Sequence, residues 1–276
     1  MSAAAATITF LSDYGLVDEY AGVCHAVIAR RCPQARVIDL THGIPPGDVR
    51  AGAIVLHGAL PYAPAGVHLA VVDPGVGSAR RAVALRCGGN GGHLLVGPDN
   101  GLLMPAAARF GGVADAVGLE RSRERLEPVS STFHGRDIFA PVAAALACGA
   151  ALSDVGEPLD PAALVALDLP AARQEADRVV THVLHHDRFG NLMLDATSEQ
   201  LAGLGIEPGT TVSVDTGAAT HLANRGATFS DAEDGALVLY VDGLGLVALA
   251  VNGGSAQALL AVDSGDELRL GAPADT

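Results

Sequence analysis

The sequence predicts an α/β protein in which an N-terminal, mostly parallel sheet flanked by helices precedes a smaller, mainly β, barrel-like C-terminal domain. Two observations carry this expectation. From residue 6 to about 150, short β-branched or apolar runs alternate with segments of helical periodicity. Beyond Arg173 the pattern changes to short strands separated by turn residues, with only short helical pieces between them. The 276 residues, 49% of them hydrophobic, supply enough chain and apolar material for two domains, which we place at 1–165 and 166–276.

In chain order, ATITFL, ARVIDL, GVHLAVVD, RAVALRC and HLLVG are the N-terminal strand candidates. Between the first two, Val17, Ala21, Cys24, Val27 and Ile28 recur at helical spacing, as do Ala51, Ile54, Val55 and Ala59 before the third. Asp48 is placed to cap that second helix by accepting from orphan backbone N–H groups. A further helix is expected from Asp137 to Ala150, followed by a Pro- and Asp-containing connection, VGEPLDPAALVALDLPAAR, between the domains. RVVTHVLHH, NLMLD, TTVSVDT, ALVLYVD, LVALAVN and DELRL then supply the C-terminal strands.

Composition narrows the partners. With 17 Lys and Arg against 31 Asp and Glu, the formal net charge of -14 opposes phosphate backbones, so nucleic acid and anionic membrane are excluded as expected partners. A cationic small molecule suits this field better. Cys24, Cys32, Cys87 and Cys148 form no C-x-x-C pair and sit in apolar segments, which reads as buried free thiols in a reducing cytoplasm. The start MSAAAATITF has no basic leader, and no apolar run reaches the ~18 residues of a membrane span.

Polar residues gather after the strands, where an open α/β sheet presents ligand-binding groups. The segments are LSDYG (Leu11 to Gly15), DPGVGSARR (Asp73 to Arg81), GPDNG (Gly97 to Gly101) and STFHGRD (Ser131 to Asp137). None is a P-loop, and the first βα turn lacks G-x-G-x-x-G, so phosphate transfer and NAD chemistry lose their support. DPGVG taken alone also reads as a tight turn; the recurrence of such loops with ionisable residues favours a site.

From about Thr9 to Leu270 the sequence resembles the S-adenosyl-L-methionine (SAM) hydroxide adenosyltransferases, relatives of the SAM-dependent fluorinases and chlorinases. The resemblance rests on LSDYGLVDEYAG, IDLTHGIPPGDVRAGA, VVDPGVGSARR, VGPDNGLL, STFHGRDIFAP, DRFGNL and AVNGGSA, in that order. It implies hydrolysis of SAM to adenosine and methionine, with SAM as substrate and no cofactor or metal. It also implies a homotrimer whose sites lie between the α/β domain of one subunit and the β domain of the next. The family's water-activating residues fall on Asp73, Arg80 and His134, its ribose-binding carboxylate on Asp13, and acids near the methionine ammonium on Asp18 and Asp187. Phe189 and Asn191 take the positions that stack on and hydrogen-bond adenine, and Asn252 and Gly253 match the adenine-side end of AVNGGSA. Where relatives often carry a Ser for the methionine carboxylate, this chain has Gly243 and Leu244, which leaves only backbone N–H groups for that work.

The chemistry of these residue types agrees with hydrolysis. A sulfonium leaves C5′ as a neutral thioether without acid assistance, so the weak nucleophile, water, is the difficulty. Asp73 is the expected base, His134 a donor or relay according to its tautomer, and Arg80 the fixed donor that orients them. Alternatives stay open residue by residue: Asp13 as a helix cap, Asp18 and Asp187 as solvated acids, Phe189 as core, Asn191 as a turn residue and Arg81 as a surface ion pair. His185, His186 and Asp187 do not form a metal site, because neighbours on a strand face opposite ways. His25 and His57 are expected at core edges or on the surface of helices. Two rival functions are a SAM-dependent halogenase and a non-catalytic SAM or adenosine binder; the first needs a dry halide pocket, which an Asp and a His beside the nucleophile oppose.

Overall fold

Strands that are apolar on both faces need cover on both sides, and the N-terminal half supplies it with helices. The computed structural model describes residues 7–89 and 91–273. Its first unit, ending at Asp168, contains β1 (Thr7–Ser12), β2 (Arg36–Thr41), β3 (Val67–Val71), β4 (Ala82–Cys87), β5 (Leu94–Pro98), β6 (Val113–Gly118) and β7 (Glu157–Leu159). They form one sheet in the order β2-β1-β3-β5-β4-β6-β7. The first residue of the expected strand ATITFL, Ala6, lies outside the described residues.

Alternate residues of the parallel strands point to opposite layers. Ile8, Phe10, Leu69 and Val71 pack on α1 (Tyr20–Arg31) and α4 (Ala140–Ala147) through Ile28, Val142 and Leu146. Leu11, Ala70, Val72, Leu85 and Leu95 face α2 (Val49–Ala59) and α3 (Met104–Arg109) through Leu56 and Ala106. Asp48 caps α2 as expected, accepting from Ala51 N at 2.9 Å. A short α5 (Leu152–Val155) completes the unit.

Several elements differ from the sequence reading. RAVALRC runs antiparallel to both of its neighbours, β5 and β6. Its link to β5 is too short for the helical crossover that parallel pairing requires. Val17 is 98% exposed in the loop before α1, off the helix face to which its spacing assigned it. The helix expected from Asp137 opens as a π-helical turn, Gly135–Phe139, before α4. The stretch read as a linker contains β7, which pairs with β6 and therefore belongs to the first sheet. The strand β6, VADAVG, has few β-forming residues and is held in place by β4 and β7.

Cys32 and Cys148, expected as free thiols, are joined by a disulfide with Cα atoms 5.8 Å apart. The bond ties the end of α1 to the end of α4, two helices that tertiary packing alone brings together. Cys24 and Cys87 are free and buried, as expected, but a disulfide is the bond that oxidising compartments favour, so the cysteines no longer argue for a reducing one.

The second unit, from Leu169, contains β8 (Arg173–Gln174), β9 (Arg178–His186), β10 (Leu192–Thr197), β11 (Thr211–Asp215), β12 (Thr220–Arg225), β13 (Leu237–Val241), β14 (Leu246–Val251) and β15 (Glu267–Gly271). The order β10-β14-β13-β12-β11-β15-β9 closes by pairing β9 with β10, giving a seven-stranded barrel with β8 added to β9. Closure removes the exposed edges that an open sheet of these short strands would present. Val183, Leu194, Val212, Leu239, Leu249 and Leu268 fill its interior. Two short helices, α6 (Ser198–Ala202) and α7 (Ala256–Leu260), are its only α-helices among the described residues. None of the described helices is long and apolar enough to cross a membrane.

Candidate active site

In the first unit, three of the four polar segments are locked together by close backbone approach. Gly77 has φ +77°, and a Cβ there would meet the Ser131 carbonyl oxygen at 2.2 Å, so DPGVG seats directly on STFHGRD. A Cβ at Gly135 would meet the Tyr14 hydroxyl at 2.0 Å, which seats STFHGRD on LSDYG. Larger residues at either position would push these loops apart.

The loops bring Asp73, Arg80 and His134 into one hydrogen-bonded chain. Arg80 Nε donates to Asp73 Oδ1 at 3.0 Å, and its Nη2 donates to Asp73 Oδ2. The same Nη2 lies 3.1 Å from His134 Nδ1. Guanidinium has no acceptor, so Nδ1 must accept and the neutral ring carries its proton on Nε2. Burial and then the Arg80 charge hold the His134 pKa below the ordinary imidazole value, consistent with that neutral form. The tautomer left open by the sequence is therefore fixed by Arg80.

The side chains of Asp73 and Arg80 are only 6% and 8% exposed. Burial raises the Asp73 pKa, the Arg80 charge and hydrogen bonds oppose the rise, and Asp13 adds to it. The carboxylate is thus both fixed by a bidentate partner and more basic than a solvated Asp, two properties suited to taking a proton from water. Burial likewise pushes the Tyr14 hydroxyl well above the ordinary phenol range, keeping it a neutral neighbour.

Other assignments resolve differently. Asp13 does not cap α1; its Oδ2 accepts from Gly47 N at 2.8 Å, which ties the LSDYG loop to the segment before α2. Asp18 is exposed and takes no part in the Asp73–Arg80–His134 chain. GPDNG is tied into the fold: Asp99 accepts from Arg81 Nε and from Val165 N, each at 2.8 Å. Asn100 Nδ2 holds the Val72 carbonyl at 2.9 Å, immediately before Asp73. Arg81 is the ion-paired neighbour it was expected to be.

In the second unit, Phe189, Asn191, Asn252 and Gly253 line one pocket of about 440 Å³ together with Phe229, Val251 and Gly254. Phe189 is 65% exposed, so it is not core. Phe229 was not singled out in the sequence; its only signal is an aromatic in a polar turn, and its ring packs edge-on against Tyr240 with centroids 5.3 Å apart. Asp187 organises the DRFGN turn, accepting from Phe189 N at 2.8 Å, Asn191 N at 3.0 Å and Asn191 Nδ2 at 2.8 Å. Asn191 is therefore both a turn residue and a pocket residue, its Oδ1 being the group left for a ligand.

A family model for the N-terminal domain of SAM hydroxide adenosyltransferases matches residues 8–156, and one for their C-terminal domain matches residues 181–269. The chain belongs to this family. It is 52% identical to an (R)-S-adenosyl-L-methionine hydrolase from Salinispora arenicola, over 95% of this chain and 97% of that one. An (R)-S-adenosyl-L-methionine hydrolase from Thermus thermophilus is 40% identical, over 95% of this chain and 98% of the relative. The crystal structure of an uncharacterized conserved protein from Thermotoga maritima superposes with a TM-score of 0.88 at 37% identity, covering 95% of this chain and 99% of that one.

The place where relatives often carry a Ser, Gly243 and Leu244 in this chain, forms a closed turn. Leu244 N, one of the backbone donors expected to serve a methionine carboxylate, donates to Asp242 Oδ1 at 2.8 Å. Leu246 N donates to the same oxygen at 3.0 Å, so Asp242 closes this turn much as Asp187 closes DRFGN.

Proposed function

We propose that the protein hydrolyses SAM to adenosine and L-methionine by in-line attack of water at the ribose C5′. The observation that carries this reading is the buried Asp73 carboxylate gripped by Arg80 Nε and Nη2, with neutral His134 accepting from that same Nη2. As the water oxygen bonds to C5′, its proton passes to Asp73 and the C5′–S bond breaks. The sulfonium becomes the neutral thioether of methionine, so no leaving-group acid is needed. Arg80 leaves Asp73 lone pairs for the water while holding the carboxylate in one orientation. The His134 Nε2 proton is available to the water oxygen, which orients the lone pair toward carbon.

Asp13 is assigned to the ribose hydroxyls, and Phe189, Asn191, Asn252 and Gly253 to adenine. Asp18 and Asp187 are assigned to the methionine ammonium; Asp187 does so from a carboxylate already engaged in its own turn. Against the halogenase reading stands the Asp73 charge beside the nucleophile, which repels an anion. Against the non-catalytic reading stands the energetic cost of burying an ion pair that binding adenosine does not require.

We further propose that the protein works as a homotrimer in which each site takes the Asp73 cluster from one subunit and the Phe189 pocket from the next, as the family resemblance implies. The exposed rings of Phe189 and Phe229 are aromatic surface that such assembly would cover. We place the reaction in the cytoplasm and without a catalytic metal.

The test is incubation with SAM in ¹⁸O-labelled water, with and without chloride, followed by mass analysis. Adenosine carrying ¹⁸O at the 5′ oxygen is expected under both conditions and after exhaustive chelation. Formation of 5′-chloro-5′-deoxyadenosine, or no product, would overturn the reading.

A further inference from the structure

Away from the Asp73 cluster, three ligand-type side chains from separate places in the sequence converge: His25 on α1, Asp39 on β2 and His42 just after β2. One nitrogen or oxygen from each lies within 4.8 Å of the others. His25 Nε2 is 2.8 Å from Asp39 Oδ1, and His42 Nε2 is 3.1 Å from that same oxygen.

His42 supplies the second, independent observation. Its side chain is 2% exposed, and Nε2 makes no directed hydrogen bond in spite of its nearness to Asp39. Its other nitrogen, Nδ1, lies 2.7 Å from Ser12 Oγ. Ser12 Oγ, which accepts from Tyr14 N at 3.2 Å, can accept from or donate to this nitrogen: with Nδ1 protonated, Nε2 presents a lone pair toward a carboxylate oxygen, and with Nε2 protonated, its N–H is buried without a directed acceptor. Two lone pairs so close repel unless a positive centre lies between them, and leaving a buried nitrogen without a partner is costly.

We propose that His25 Nε2, Asp39 Oδ1 and His42 Nε2 bind one divalent transition-metal ion of the zinc class, with water in the fourth position. Two imidazoles and one carboxylate suit zinc and its neighbours far better than magnesium or calcium. Bonds of about 2.0–2.1 Å in a tetrahedral site place ligand atoms roughly 3.3 Å apart, so the two N–O separations open by only a few tenths of an ångström. Ser12 plays the outer partner that orients a metal-binding imidazole. The Phe10 ring, 4.7 Å from His42 and 6.0 Å from His25 between centroids, provides an apolar wall. His25 and Asp39, with side chains 35% and 44% exposed, leave a path for the ion to enter.

The bound ion would cross-link α1 to β2, the edge strand of the first sheet. Because His42 O accepts from Gly15 N at 2.7 Å, it would also brace the LSDYG loop. The ion is structural in this proposal, and turnover does not depend on it.

The experiment uses the full chain, stripped with chelator, exchanged into metal-free buffer and titrated calorimetrically with zinc chloride. One equivalent should bind to the wild type and raise the thermal midpoint by several degrees at saturation. Cobalt(II) should give the intense visible absorption of a four-coordinate ion. His25→Ala and, at an exposed position that tolerates exchange, Asp39→Asn should each weaken binding at least ~10- to 100-fold, the loss already seen for outer-sphere partners. His25→Ala should still form adenosine at the wild-type rate. Absence of one-to-one binding to the wild type, or equal affinity in both variants, would overturn the proposal.

Discussion

Replacing Asp73 by Asn tests the proposed chemistry most directly. The substitution keeps side-chain size but removes the charge, most of the basicity and one of the two oxygens that accept from Arg80 Nε and Nη2. General-base assistance is worth ~10²–10⁴-fold, so kcat should fall by that factor, or about 3–5 kcal/mol in the barrier. Adenosine affinity should change little, because the pocket proposed for adenine is lined by Phe189, Asn191, Phe229 and Asn252 in the barrel, not by Asp73. The pH dependence adds a second readout. A base works when ionised, so wild-type activity is present above the Asp73 pKa and lost as pH falls through it. Burial raises that pKa from 3.8, so the acid limb should lie above the ordinary carboxylate value and vanish in Asp73→Asn. Arg80, 8% exposed, loses its counter-charge, and breaking a buried pair costs up to ~3–5 kcal/mol. Thermal unfolding must therefore be measured beside chromatographic adenosine formation, at a temperature where both proteins are folded. A folded Asp73→Asn protein with kcat within about threefold of wild type, or with the acid limb intact, would refute the assignment.

Three further outcomes are expected. Phe189→Ala should raise KM for SAM roughly 5- to 150-fold with a smaller effect on kcat, since aromatic–base stacking is worth ~1–3 kcal/mol; an unchanged KM argues against adenine in that pocket. His68 is buried between Thr9 Oγ1 and His93 Nδ1, each 2.8 Å away, and burial lowers its pKa from 6.5 to about 3. The unfolded chain then binds the extra proton, so stability is fully present above pH 6.5 and declines toward pH 3, by ~2 kcal/mol at pH 5. Urea unfolding should show this slope reduced in His68→Gln; identical slopes would exclude His68 as its source. The Cys32–Cys148 bond spans 116 residues, and closing such a loop is worth ~4–5 kcal/mol in the chain-entropy account. Cys148→Ser should lower the midpoint by ~10 °C or more, whereas four titratable thiols in the unreduced, denatured wild type would mean that the bond does not form.

The order of elements was legible in the sequence because local spacing encodes it. Apolar runs and helical periodicity marked α1, α2 and the first five strands; turn-bounded short strands marked most of the barrel. Polar loops after the strands marked where Asp13, Asp73 and Arg80 would emerge, since strand ends fix where such loops lie, whereas His134 stands at the start of the helical turn that leads into α4. What local spacing does not encode is the partner of each residue. Only tertiary structure decided that β4 runs antiparallel between β5 and β6, and that Asp187 spends its carboxylate on its own turn. It alone joined Cys32 to Cys148 across 116 residues and gave His134 its tautomer by placing Arg80 beside Nδ1. His25, read as a helix-edge residue, met Asp39 and His42 for the same reason: α1 packs beside β2, and packing between distant segments follows burial and shape complementarity, which no short window of sequence contains.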